Sequence, residues 1–205
     1  MHVFSVRFFN TNKGGQAVQL AHAEDTSPFP FYARMSGSAS ELLLFLSRTF
    51  VSYTERGKAQ GCREGEHNGW IYHNSEGLAG VVICDKDYDQ RLAMTLIRKY
   101  MAYYTSRPDN WDWSLRETDN DASDERLKAM LTDYQTPEKV DKITEINKNI
   151  AQTKIHLHDS IDKMLERGEK IDTLVDKSQD LSRQSKQFYK KSRKLNSWCQ
   201  SCTIS

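Results

Sequence analysis

Towards the end of the chain, apolar or small residues recur in uninterrupted steps of three and four residues. This spacing is typical of a coiled-coil seam, in which a repeat of about 3.5 residues keeps one narrow stripe of a helix facing partner helices. A continuous helix over these positions, at about 1.5 Å per residue, is predicted to form a rod of roughly 80 Å. No small domain needs so long a helix, so the stripe is predicted to face other helices. The sixteen positions, called the seam below, are Ile143, Ile146, Ile150, Thr153, Leu157, Ser160, Met164, Arg167, Ile171, Leu174, Ser178, Leu181, Ser185, Phe188, Ser192 and Leu195.

Arg167 occupies the centre of the seam, with seven layers before it and eight after it. A guanidinium carries five N–H donors and keeps its charge, so burying it without acceptors costs much free energy. Partner helices must therefore supply acceptors at this level, which would set the alignment of the helices. The alternative is a helix that stays in solvent, or a coiled coil that tolerates one defect.

Residues 164–171, Met-Leu-Glu-Arg-Gly-Glu-Lys-Ile, resemble the centre of an R-type SNARE motif, in which an arginine lies at the middle layer of a four-helix bundle. The resemblance implies three partner helices, the Q-SNARE helices, each of which offers a glutamine to Arg167. The later residues that fall on that family's core layers are Ile171, Leu174, Leu181, Phe188 and Leu195.

The first 135 residues have the pattern of a separate domain that mixes strands and helices. Ser38 and Glu41 have the spacing of a capping box, which predicts a helix start. Residues 78–84 are apolar throughout, which predicts a strand at the centre of a sheet, and residues 57–67 are polar and interrupted by glycines, which indicates a connector. Strands are predicted at 2–8, 17–23, 70–73 and 78–84, and helices at 38–51, 90–104 and 122–134.

This order predicts an α+β domain with one sheet sandwiched by helices. Followed by an R-SNARE segment, it resembles the longin domain, a profilin-like fold, which implies a five-stranded sheet ahead of a long SNARE coiled-coil helix. Pro137 marks the boundary. The predicted units are a longin domain at 1–135, an R-SNARE motif at 136–198 and a lipidated tail at 199–205.

The composition limits the classes of function. The net charge of +1 argues against a general nucleic-acid binder. The apolar stretches are much shorter than the ~20 residues that span a bilayer, and the first residues lack the pattern of a signal peptide. Four cysteines without paired spacing fit a reducing compartment. The predicted location is the cytosol and the cytosolic face of endomembranes such as the Golgi, ER, endosome or vacuole.

The last four residues, Cys-Thr-Ile-Ser from Cys202, match a prenylation box, and the terminal serine favours a farnesyl group on Cys202. One lipid chain is a reversible anchor, and two further signals lie upstream. Cys199 is a candidate for palmitoylation. Residues 181–194 carry six basic and no acidic residues, which predicts attraction to an anionic leaflet, although a solvated helix face is the alternative.

This tail resembles that of the prenylated, transmembrane-less longin SNAREs of the Ykt type, the synaptobrevin homologs. The resemblance implies a prenyltransferase as a partner and the cytosolic leaflet as the site of anchoring. That family usually has two adjacent cysteines, whereas Gln200 and Ser201 separate Cys199 from Cys202 here. The lipid on Cys199, and the enzyme that attaches it, therefore stay open.

Other chemistry has little support. Cys199 and Cys202 form a CxxC, but no second pair or nearby histidine pair completes a zinc site. His156 and His158 lie two apart on a predicted helix, so they are expected to point to different sides. No Gly-rich phosphate loop or Ser-His-Asp arrangement is present. The sequence therefore predicts no enzyme, no metal and no cofactor other than covalent farnesyl and palmitoyl groups.

Two functions remain, a membrane-fusion SNARE or a lipid-anchored tether in which the coil only dimerises. In either case an uncovered seam exposes enough apolar surface to drive aggregation. The longin resemblance implies that the N-terminal domain folds back over the seam and autoinhibits it. Leu42 and Phe45 are predicted to line the groove, although both could instead be ordinary core residues.

Overall fold

The computed structural model describes residues 1–107, 112–136, 140, 155–165 and 168–194. Within these ranges six strands form one sheet in the order β2-β1-β5-β4-β3-β6. Neighbouring strands are antiparallel, except that β3 and β6 are parallel. The strands are β1 (Val3–Asn10), β2 (Val18–Glu24), β3 (Ala59–Glu64), β4 (His67–His73), β5 (Leu78–Asp85) and β6 (His156–His158).

Helices cover both faces of the sheet, which confirms the predicted α+β fold. The longin-like part supplies five strands, and the seam adds β6 as a sixth. Among the described helices, none has the length and apolar character needed to cross a membrane. The helices are α1 (Phe31–Met35), α2 (Ser38–Ser52), α3 (Gln90–Thr105), α4 (Glu125–Tyr134), α5 (Ile161–Met164), α6 (Ile171–Lys177) and α7 (Arg183–Lys194), with a 3₁₀ turn at Trp113–Leu115.

Strand β5 lies at the centre of the longin-like sheet, between β1 and β4, as its apolar run predicts. Leu78 and Val82 join the hydrophobic cluster under α3 and α4, on what is called the α3 face below. Val81 and Ile83 join the cluster under α2, on the α2 face. Because both faces of the strand are buried over residues 78–84, these positions favour apolar side chains.

Strand β3 lies in the segment 57–67 that the sequence indicates to be a connector. It pairs with β4 along its whole length, with Gly61 opposite Trp70. A Cβ atom on Gly61 would lie 2.3 Å from the Trp70 ring. This glycine therefore makes room for an indole inside the sheet and does not mark a turn.

The described part of the seam is not one continuous helix, which corrects the prediction of a single rod. It forms β6 and then α5, α6 and α7, and the chain is extended at Leu165 (φ −69°, ψ 163°) and Ser178 (ψ 131°). Gly168 has φ +96°, a conformation that other residues rarely adopt. A lone long helix would leave the seam in water, whereas these breaks turn its apolar residues onto the α2 face.

Candidate functional site

The described residues that carry the seam, 155–165 and 168–194, are called the seam segment below. The candidate site is the surface on which this segment packs against the α2 face. There, residues of α5–α7 share one hydrophobic cluster with the inner side of α2 and with β4 and β5. Burial of this kind stabilises the packing of the seam segment against the rest of the chain. The buried apolar residues from the seam segment are Ile161, Met164, Leu165, Ile171, Val175, Leu181, Phe188 and Tyr189.

Phe188 is the most deeply buried aromatic residue of α7, with 2% of its surface exposed. Its ring centroid lies 6.1 Å from that of Phe29 and 6.1 Å from that of Tyr32, both in edge-on geometry. Aromatic pairs favour this geometry. Phe188 therefore connects α7 to the segment that precedes α2.

Strand β6 extends the sheet at its β3 edge. Leu157 pairs with Gly61, and the His158 Nε2 atom shares a hydrogen bond of 2.7 Å with the Gln60 side-chain oxygen. His156 and His158 therefore lie on a strand and not on the predicted helix, and their ring centroids are 4.4 Å apart. The reason is the period of two along a strand, which places alternate side chains on the same side.

Glu41 joins α2 to the start of α7. Its Oε2 atom accepts a hydrogen bond of 2.9 Å from the backbone N–H of Ser182 and one of 2.6 Å from the Ser185 hydroxyl. Partial burial opposes the charged form, but the hydrogen bonds from Ser185 and Ser182 outweigh it and lower the pKa of the Glu41 carboxyl. The predicted capping box is wrong, because Gly37 is the N-cap of α2 and makes no side-chain cap. Glu41 instead satisfies an N–H group next to a helix from a distant part of the sequence.

A second polar cluster links α5, α6 and α7. The Tyr189 hydroxyl donates to Asp172 Oδ1 at 2.7 Å, and Arg193 Nη1 lies 3.1 Å from the same oxygen. Asp162 accepts from the backbone N–H of Ile171 at 2.8 Å. Burial raises the pKa of the Tyr189 hydroxyl, which keeps it a neutral donor. These bonds hold the three short helices in one arrangement.

The predicted groove residues differ in their positions. Leu42 has no exposed surface, and neither do Leu43 and Leu46. These three are core residues beneath the seam segment. Phe45 is only partly buried. It lines a surface cavity of about 430 Å³ together with Leu174, the β1–β2 turn and the segment after α6.

The described seam residues are mostly buried, with four exceptions. Leu174 and Ser178 are partly exposed, Leu157 has 38% of its surface exposed, and Ser160 caps α5 by accepting from the N–H of Lys163 at 3.3 Å. Of these four, Leu174 still packs against the hydrophobic cluster on the α2 face. The seam positions that are buried are Met164, Ile171, Leu181, Ser185, Phe188 and Ser192.

Sequence reasoning missed four buried residues of the same segment, because it followed only one stripe of a straight helix. Val175 and Tyr189 each follow a seam residue directly, so both lie beside the predicted stripe. Ile161 and Leu165 lie where the chain enters and leaves α5. A search for a wider apolar face, of the kind that covers a globular core, would have included Val175 and Tyr189.

Several predicted site residues lie outside the described residues, and their roles stay predictions. They include the central arginine, the early layers and both lipidation candidates: Ile143, Ile146, Ile150, Thr153, Arg167, Leu195, Cys199 and Cys202.

Comparisons with known proteins match two regions of the chain to known families. The synaptobrevin family matches residues 142–204, and the regulated-SNARE-like longin domain matches residues 30–125. The chain is 37% identical over 200 residues to the synaptobrevin homolog YKT6 of Eremothecium gossypii, covering 97% of this chain and 98% of the relative. It is 36% identical over 200 residues to the homolog of Saccharomyces cerevisiae, again covering 97% of this chain and 98% of the relative. For that of Debaryomyces hansenii the identity is 40% over 187 residues, or 91% of this chain and 92% of the relative.

Proposed function

This chain belongs to the synaptobrevin family as a longin-domain SNARE with a role in vesicle trafficking, and we propose that it drives membrane fusion as an R-SNARE. In this proposal the seam zippers with three Q-SNARE helices into a four-helix bundle, and Arg167 meets a glutamine from each. The observation that carries the proposal is the unbroken seam with an arginine at its centre, in a chain similar to synaptobrevin homologs over nearly its whole length.

The folded-back seam supports autoinhibition as part of this function. Ile171, Leu181 and Phe188 are buried against the longin-like domain, and the same side chains are core layers of the proposed bundle. One residue cannot be buried in both places, so the two states exclude each other. The seam therefore has to leave the α2 face before it can zipper with partner helices.

The geometry of the helices supports the same exclusion. A bundle layer needs one continuous helix, whereas here α5, α6 and α7 are separated by extended backbone. Zippering therefore requires the turns near Gly168 and Ser178 to become helical. Gly168 can leave its positive φ at little cost, because glycine populates both sides of φ with similar ease.

We further propose that lipid chains anchor the protein to the cytosolic face of endomembranes. This proposal applies if the four residues from Cys202 form the C-terminus of the mature chain. Cys202 would carry a farnesyl group added by a prenyltransferase, and Cys199 a palmitoyl group. The basic residues of α7 support this proposal, because cations near an anionic leaflet add to a weak lipid anchor. The cavity next to Phe45 is the candidate place for a lipid chain in the folded form.

The test is to mix the full chain with Q-SNARE helices and to measure assembly. A detergent-resistant complex of one copy with three glutamine-bearing helices is the expected result. Arg167→Glu is expected to lower the thermal stability of this complex, since it replaces the cation by an acid facing the same glutamines. Arg183→Glu reverses the same charge at a position outside the seam and is the matched control. A stable homodimer without partners, or no effect of Arg167→Glu, would instead support a lipid-anchored tether.

A further inference from the structure

Helix α1 presents an apolar surface that the part of the chain described by the structure leaves uncovered. Phe31 is 66% exposed, Tyr32 is 52% exposed and Met35 is 72% exposed. The only residue of this helix that is buried is Ala33. These three exposed residues are called the α1 patch below. Contiguous exposed apolar side chains of this size on a folded protein indicate an interaction surface.

Helix α7 borders the α1 patch with basic residues. Lys191 Nζ lies 5.6 Å from the centroid of the Tyr32 ring, and Lys194 follows it at helical spacing on the same side. Within the described residues, Arg34, Lys191 and Lys194 take part in none of the ion pairs between side chains. No acidic residue occurs in α1 or α7.

Other basic residues of α7 have acidic partners on α6. There, Lys190 pairs with Asp176 at 2.9 Å and Arg193 pairs with Asp172 at 3.1 Å. The protein thus neutralises the α7 cations that face α6, whereas those beside the α1 patch have no carboxylate partner among the described residues. An anionic partner at this side would complete the charge balance.

We propose that the α1 patch and its bordering cations dock the folded-back form on an anionic membrane surface. Phe31 and Met35 would enter the boundary between headgroups and acyl chains, a depth that suits short amphipathic elements. Arg34, Lys191 and Lys194 would contact the acidic headgroups, since long basic side chains extend from an apolar base to a polar surface.

The position of α7 in the sequence adds a second reason to choose a membrane as the partner. Lys194 is the last residue of α7, and Cys199 follows five residues later. The segment that carries the predicted lipids therefore follows directly on the helix that contacts the α1 patch through Lys191. In this respect the inference rests on the proposed function: the patch would hold the folded-back form at the bilayer that a lipid chain can enter once it leaves the cavity next to Phe45.

The experiment uses the full, unlipidated chain and sedimentation with vesicles. Binding is expected to vesicles of phosphatidylcholine with about one-third phosphatidylserine, to weaken with added salt, and to be absent with phosphatidylcholine alone. Phe31→Ala with Met35→Ala is expected to lower the partition coefficient about tenfold. Lys191→Gln with Lys194→Gln is expected to lower it by a similar factor, about tenfold.

Matched controls lie on the α3 side of the protein. Leu115→Ala removes an exposed apolar side chain there, and Lys99→Gln with Lys128→Gln removes two exposed lysines. Both controls are expected to bind as the unchanged chain does. Protease protection of the seam is measured for every variant. If a double variant loses it, Met35→Gln and Lys194→Gln are used singly, because both side chains are exposed.

Each other outcome overturns the inference. Failure of the unchanged chain to sediment, or equal loss in the patch and control variants, would remove the patch as a membrane site. A concentration-dependent dimer that Phe31→Ala with Met35→Ala abolishes would assign the patch to a second copy of the chain. Assembly with Q-SNARE helices is expected to be normal in all variants, so this test and that of the proposed function fail independently.

Discussion

The two faces of the sheet are covered in different ways. The α3 face is closed by α3, a helix of 16 residues, and by α4, and both belong to the longin-like part. The α2 face is closed by α2 together with three short helices of the seam segment, of which the longest has 12 residues. The α3 face is thus covered by the domain itself, whereas the α2 face is covered partly by the seam segment, which is proposed to bind partner helices instead.

The contacts that hold the two covers also differ. Under α3, aromatic and aliphatic side chains pack together, as in the pair Phe8–Tyr100 with ring centroids 4.5 Å apart. The seam segment adds polar contacts at its margins, such as Glu41 with Ser182 and Tyr53 with Glu169. Water and ions can replace such marginal contacts, so the seam should open at a lower free energy than the domain unfolds.

The largest effect is expected for Phe8→Ala on the α3 face. Phe8 has no exposed surface, and the cavity left by its ring should lower the free energy of unfolding of the whole domain by about 4 kcal/mol. Denaturant unfolding followed by circular dichroism measures this loss. A normal unfolding midpoint together with a protease-sensitive seam would contradict the difference between the faces.

A somewhat smaller effect, of a different kind, is expected for Phe188→Ala on α7. Loss of its ring should destabilise the folded-back state by about 3 kcal/mol while residues 1–107 stay folded. Limited proteolysis should then cut within the seam segment, and assembly with Q-SNARE helices should become faster. Gln187→Ala on the exposed side of the same helix is the control. If Phe188→Ala unfolds the whole protein, the seam is part of the domain core.

Phe45→Glu tests the partly buried position between these extremes. A carboxylate beside Leu174 in the cavity should weaken the folded-back state by about 2 kcal/mol, because its charge loses hydration there. The seam should become protease-sensitive while the domain remains folded. Phe45→Tyr keeps the ring and should change neither property. Unfolding of the longin-like domain in Phe45→Glu would make Phe45 a core residue.

The smallest effect is expected for Glu41→Gln. The neutral amide still accepts from Ser182 and Ser185 but loses the charge, which should weaken the folded-back state by about 1 kcal/mol at this partly exposed site. Exchange of the Ser182 amide proton measures the change. Glu55→Gln, an exposed acid after the end of the same helix, is the control.

Opening of the seam should also depend on pH through the Glu41 carboxyl. Hydrogen bonds to the folded-back seam lower the pKa of Glu41 below its usual 4.5. The carboxylate therefore contributes its full stabilisation above pH 4.5 and loses it as the pH falls through the lower pKa of the folded-back form. Protease sensitivity of the seam should rise in that range for the unchanged chain and less for Glu41→Gln. An equal rise in both would exclude Glu41 as the titrating group.

Local spacing was sufficient to predict much of the longin-like part. The apolar run at 78–84 can be stable only with both sides covered, so its place at the centre follows from composition alone. Strand β3 was hidden because its glycine makes room for Trp70, a partner that the order of the residues does not reveal. The capping box was likewise mispredicted because of a distant partner. The backbone N–H of Ser182, 141 residues from Glu41, needs an acceptor and donates to the Glu41 carboxylate.

The seam shows most clearly where sequence reasoning ends. Its spacing alone determines that a stripe of apolar side chains must be covered, because leaving that surface in water is unfavourable. Hydrophobic burial has no direction, however, so the same residues satisfy the requirement against α2 as against partner helices. Only the tertiary structure decides that the described part of the seam bends at Leu165, Gly168 and Ser178 and adds Val175 and Tyr189 to its buried side. Without partner helices, the α2 face is the apolar surface within reach of the same chain.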